Sequence, residues 1–157
     1  MGKTVAAARR PRLCVQPSFA SFIATVVEAE VADDGEVRLR RVTSAVDTGI
    51  AVNPDTIVAQ LQGGLVFGLT AALYGEITID RGRVRQSNFN DYRMLRIDQV
   101  PNIDVHVIKS GADPGGIGET GCTAGPPALR NAIYAATGVA LRRLPIDRAA
   151  LAVGHKV

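Results

Sequence analysis

The chain has 157 residues, 46% hydrophobic and 21% charged, a balance that suits one folded domain and excludes an intrinsically disordered segment. Its formal net charge of +3 is spread over Arg9-Arg10, residues 38–41, residues 81–85 and Arg142-Arg143, with no basic run interleaved with aromatics, which argues against a nucleic-acid surface. With 4% aromatic residues and no Trp, the core must come from Val, Ile, Leu and Ala, and the two cysteines, Cys14 and Cys122, have no C-x-x-C spacing, so no zinc or iron–sulfur site is assigned to this chain.

Residues 1–16 read as a flexible lead-in that lacks the apolar core of a signal peptide, and residues 17–157 read as the folded part. Residues 18–31, rich in β-branched and aromatic side chains, predict one long strand. Asp33-Asp34-Gly35 predicts a hairpin turn, and residues 36–46 the returning strand. Asn53 and Pro54 then form a helix start, with Asn53 as cap rather than ligand and Pro54 at the first helical position.

That helix runs to Tyr74 and stops at Gly75, with Ile57, Leu61, Leu65, Leu69 and Leu73 in one i, i+4 row. Its glycines Gly64 and Gly68 would admit a neighbouring backbone. Residues 56–74 come nearest to a membrane span but carry Gln60 and Gln62, so a buried helix is predicted. A hairpin follows around Asp80-Arg81-Gly82, then an irregular stretch over 88–96. Ile103, Val105 and Val107 alternate with Asp104 and His106 as a half-buried strand.

Residues 110–125 form a Gly-rich loop, the kind of segment that carries function. A second helix is predicted to open at Pro126-Pro127, with Leu129, Ala132, Ile133 and Ala136 on one face and Gly138 as its stop. Residues 141–146 predict a short strand and 147–153 a last helical turn or two. The fold class is α+β, with antiparallel strand pairs packed on two main helices.

Three stretches carry chemistry. The first is Val46-Asp47-Thr48-Gly49, Val52-Asn53-Pro54, Gln60-Leu61-Gln62-Gly63-Gly64 and Phe67-Gly68-Leu69. The second is residues 86–92, Gln-Ser-Asn-Phe-Asn-Asp-Tyr. The third is Gly115-Gly116-Ile117-Gly118-Glu119, followed by Pro127-Ala128-Leu129 and Asn131-Ala132-Ile133. In order and spacing they resemble the C-terminal part of the molybdopterin-binding large subunit of the xanthine oxidase and aldehyde oxidoreductase family. The form Pro114-Gly115-Gly116-Ile117-Gly118-Glu119 is most similar to the isoquinoline 1-oxidoreductase β-subunit type.

The resemblance implies a molybdenum hydroxylase that oxidises aldehydes or N-heterocycles, with Glu119 as the base that takes a proton from a hydroxide ligand of molybdenum as it attacks carbon. It implies that Gln60 hydrogen-bonds the pterin, and that Gly116, Ile117 and Gly118 lie beside the metal, where glycine admits a bulky cofactor against the backbone. It further implies that the molybdenum–molybdopterin is shared with a missing region or partner, the rest of the large subunit. The iron–sulfur clusters would sit on a small partner subunit, and the isolated chain would be inactive.

Each residue also has a plainer reading. Glu119 alone would be a solvated loop acid, and Gln60 a buried amide satisfied by nearby backbone. His106 and His155 read as surface residues, and Cys122 as a small packed side chain. A non-catalytic remnant or accessory fragment remains an alternative. So does a dinucleotide-binding module, since Gly116-Ile-Gly118-Glu-Thr-Gly121 fits G-x-G-x-x-G, although the second helix is expected to start well past the third glycine. The compartment is left open, the cytoplasm being preferred to the periplasm.

Overall fold

The run of β-branched and apolar residues after Phe19, with burial alternating residue by residue, builds the longest strand pair. The computed structural model describes residues 11–154, with side chains described as far as residue 152; the first ten residues of the expected lead-in, and His155, lie outside the described residues. Strand β1 is Arg12–Ser18, β2 is Ser21–Val31 and β3 is Val37–Asp47, paired antiparallel in sequence order. Every second residue of β2, from Ser21 to Val31, is buried, as a one-sided sheet requires.

Two expectations change here. Residues 12–16 form strand β1 rather than a lead-in. The expected strand over 18–31 is instead broken at Phe19-Ala20, a two-residue turn with φ of 52° and 61°. Such a turn favours Asn-Gly, so Phe-Ala gives no sequence signal for it.

The second hairpin turns at Gly35, φ +79°, as read from Asp33-Asp34-Gly35. Its strands slip register once, between Glu28 and Ala29. Helix α1, Pro54–Tyr74, has its predicted cap: Asn53 Oδ1 accepts from the Asp55 amide at 3.1 Å. Strands β4, Ile79–Asp80, and β5, Arg83–Val84, form the predicted small hairpin.

Strand β6, Asn102–Ile108, returns to the main sheet beside β3 and parallel to it, giving the order β1-β2-β3-β6 with α1 inside the crossover. The antiparallel pairs therefore sit beside one parallel pair.

Helix α2, Thr120–Thr137, starts six residues before the predicted opening, and Pro126 and Pro127 lie within it. The early turns are held by close packing on α1. A Cβ on Gly121 would lie 2.8 Å from Leu61 O and Leu65 N, and one on Gly68 would lie 2.5 Å from Cys122 O. Residues 141–146 form no strand; Ile146 donates instead to Ala72 O at 2.8 Å. Helix α3, Arg148–Gly154, closes the described chain and is capped by Asp147, which accepts from the Ala149 amide at 2.9 Å.

The core lies between one face of the sheet and the two main helices. Ile23, Val27, Val42 and Val46 from the sheet meet Leu61, Leu65 and Leu69 of α1 and Leu129 and Ile133 of α2, all fully buried or nearly so. Helix α1 is long and apolar enough to cross a membrane by length and composition, yet its leucine row is spent on this core. The opposite face of the sheet carries Leu13, Val15 and Phe22, more than half exposed.

Candidate functional site

The Gly-rich loop after β6 is tied down at both ends by backbone bonds that its glycines make accessible. Asp47, at the end of β3, accepts from the Gly49 amide at 2.9 Å and the Ser110 hydroxyl at 2.7 Å, joining the exits of β3 and β6. Ile50 donates to Ala112 O at 2.9 Å, and Gly115 donates to Thr48 O at 2.9 Å. Gly49 sits at φ +70°, and a Cβ there would lie 2.2 Å from Asp113 O, so this crossing needs glycine.

The loop next meets the β1–β2 turn. Gly116 donates to Phe19 O at 2.7 Å, and the Ser21 hydroxyl donates to Gly116 O at 2.7 Å. Ile117 is half-buried against the core, which anchors the chain before it enters α2.

Gln60, on α1, donates its side-chain amide to Gly118 O at 2.7 Å. Glu119 follows as the residue capping α2; its side chain is exposed and makes no capping bond. The predicted site residues Gln60, Gly116, Ile117, Gly118 and Glu119 thus form one surface patch, although they come from segments 58 residues apart at the Gln60–Gly118 bond. The patch is open: both Gln60 and Glu119 are solvent-exposed in this chain, and no described atom lies within 4 Å of where a Gly118 Cβ would be.

The polar groups of the patch are largely uncommitted. The amides of Ile117, Gly118 and Glu119 have no acceptor among the described residues, and neither does Gln60 Oε1 have a donor. Thr48 Oγ1 and Thr120 Oγ1 are buried without a hydrogen-bond partner among the described residues, which is costly unless something else supplies one. Burial, then the charge of Glu119, pushes the Cys122 thiol above its ordinary value, so the thiol stays protonated and packed.

Sequence reasoning missed Phe19, Ser21, Thr48 and Thr120. Thr48 lies inside the first motif and Thr120 directly after the third, but nothing in the sequence assigns either hydroxyl a role. The second motif behaves otherwise: Asp91 spends its carboxylate on its own loop, accepting from the Ser87 amide at 2.9 Å and the Asn88 amide at 3.0 Å. Those amides hold the Asp91 carboxyl below its usual range, and Phe89 stands almost fully exposed. Grooves of about 310 Å³ around Leu73 and Leu95, and about 580 Å³ around Leu141 and Ile146, are lined by other residues.

Gly121 lies in the first turn of α2, nearer to a dinucleotide-binding arrangement than its prolines suggest. Its Cα face is pressed on the α1 backbone, however, and residues 109–115 separate β6 from Gly116, so the fingerprint geometry is not met.

A model of the molybdopterin cofactor-binding domain matches residues 9–101. The chain belongs to that family. The β subunit of isoquinoline 1-oxidoreductase of Brevundimonas diminuta is 40% identical over 119 residues, which is 76% of this chain and 15% of that protein. A membrane-bound aldehyde dehydrogenase of Gluconacetobacter polyoxogenes, whose name carries pyrroloquinoline quinone, is 38% identical over 71% of this chain and 14% of its own length. The molybdopterin-domain fold is shared with the crystal structure of quinoline 2-oxidoreductase from Pseudomonas putida 86. The TM-score is 0.78 over 87% of this chain and 19% of that one, at 19% identity.

The chain thus spans about one seventh of the curated relatives it matches. As a molybdopterin-binding family member it bears out the recognition and the α+β fold class read from the sequence.

Proposed function

We propose that this chain is the C-terminal part of the molybdopterin-binding domain of a molybdenum hydroxylase, with Glu119 as the base and aldehydes or N-heterocycles as substrates. The observation that carries this reading is the Gln60–Gly118 hydrogen bond, which joins the glutamine motif of α1 to the glycine loop ending at Glu119.

The residues fit a pterin cofactor. Gln60 keeps a free acceptor and a second N–H for a heterocycle edge. The unpaired amides of Ile117, Gly118 and Glu119, at the N-terminus of α2, supply donors for cofactor oxygens. Gly118 leaves room for close approach. When bound, the molybdenum centre supplies the two-electron oxidation of the substrate carbon. Glu119 accepts the proton that the reacting group must lose, and its Oε atoms are free to do so because the side chain makes no capping bond. Ser21 and Phe19 O fix the loop that carries it.

The quinone in the name of the Gluconacetobacter relative is not carried over, because the family match is to a molybdopterin-binding domain. The remaining partners of this reading are the rest of the large subunit and a small iron–sulfur subunit.

The test is assembly of this chain with the rest of the large subunit and the iron–sulfur subunit, followed by metal analysis and dye-linked oxidation assays. Stoichiometric molybdenum with turnover of an aldehyde or an N-heterocycle is expected. Assembly without pterin uptake would favour a non-catalytic fragment.

A further inference from the structure

Phe19 is an exposed aromatic at a position where the fold gives no reason for one. The β1–β2 turn holds Phe19 and Ala20 at φ of 52° and 61°, and Asn-Gly would suit such a turn better. The bond that the turn makes to the loop, Gly116 N to Phe19 O at 2.7 Å, uses only the backbone and asks nothing of the side chain. Yet a Cβ on Gly116 would lie 2.9 Å from Phe19 Cβ, so the ring is rooted against the loop, three residues before Glu119. Phe19 is 62% exposed. The bonds of Gly116 and Ser21 account for the backbone of the turn, but neither uses the ring, which is left free for a contact outside the local fold.

We propose that Phe19 is a specificity-determining residue, an apolar face on which a planar aromatic N-heterocycle lies while Glu119 acts on the reacting group. This rests on the reading of the site as that of a molybdenum hydroxylase. An aromatic ring prefers offset or edge-to-face contact with another ring, and a short aliphatic aldehyde gains much less from it. Phe19 therefore biases the site toward aromatic substrates. The backbone clamp of the same residue holds the loop regardless of side chain.

The test uses the assembled enzyme with Phe19→Asn and Phe19→Tyr. Asn adopts the left-handed conformation readily, so the turn is kept while the ring is removed. With Phe19→Asn, the Kd of a non-reactive quinoline-type ring, measured by calorimetry, is expected to weaken about tenfold, the scale of one lost aromatic contact. The ratio of kcat/KM for the N-heterocycle over that for a short aliphatic aldehyde is expected to fall by a similar factor, carried by KM. Phe19→Tyr is expected to restore both.

An unchanged ratio and Kd would overturn the proposal. So would a loss of molybdenum content together with a lower Tm in Phe19→Asn, because the ring would then be packing on protein. A wild-type assembly that takes up no molybdenum overturns the functional reading itself, and is seen before any variant is compared.

Discussion

The side-chain amide of Gln60 donates to the carbonyl of Gly118 at 2.7 Å, fastening the middle of α1 to the residue before Glu119. Both ends are exposed to water, so the bond adds little stability but restricts where Glu119 can go. Gln60→Ala is expected to cost no more than about 1 kcal/mol in thermal unfolding of the chain. Amide exchange at Gly116 and Cys122, the hydrogen-bonded amides that flank residues 117–119, is expected to quicken far more than that loss implies. Unchanged exchange there would mean that the loop is held by Gly115 and Gly116 alone.

Glycines of the two motifs separate into packing and access. Gly68→Ala sets a Cβ 2.5 Å from Cys122 O and 2.9 Å from its Cα, both backbone atoms of a packed helix that cannot move aside cheaply. Overpacking of this kind costs on the order of 1–3 kcal/mol. Gly118→Ala meets nothing within 4 Å and is expected to change stability by less than about 0.5 kcal/mol. Denaturant titration of the two variants checks the contrast. In the assembled enzyme the order should invert for cofactor uptake, with Gly118→Ala impaired while its fold is intact.

The acid limb of stability should depend on Asp47. Its carboxyl is held below the ordinary range first by the Ser110 hydroxyl and then by the Gly49 amide. A depressed folded value contributes stability that is present above the unfolded value, about 3.9, and is lost as pH falls through the folded value. Asp34 and Asp91 act with the same sign. Wild-type Tm should therefore fall as pH drops below about 4, and Asp47→Asn should flatten that fall. An identical slope in the variant would show that the Asp47 clamp makes no contribution.

Cys122 reports on Glu119. Its thiol is raised by burial and then by the Glu119 charge. In a Cys14→Ser background, Glu119→Gln should lower the Cys122 value and speed its alkylation at pH 8, because the thiolate is the reacting form. An unchanged rate would place the Glu119 carboxylate away from the first turn of α2.

Much of the fold was legible because periodicity and caps spoke for themselves. The leucine row of α1, its Asn53 cap and the Gly35 turn are all where the residues put them. The turn at Phe19-Ala20 was not legible, since nothing in those two residues favours positive φ; it exists because Gly116 and Ser21 lock it. The start of α2 was misread because Pro126 usually opens a helix, whereas Gly121 and Gly68 let the preceding turn dock on α1. The site residues came from motif resemblance. Their meeting at Gln60 and Gly118 is a tertiary fact that no local pattern carries.

The most direct measurement is turnover per molybdenum in the assembled enzyme carrying Glu119→Gln. The account predicts full molybdenum content, an unchanged Tm and a kcat lower by about 10²–10⁴-fold, the usual contribution of a general base. Turnover close to wild type at full molybdenum content would contradict it.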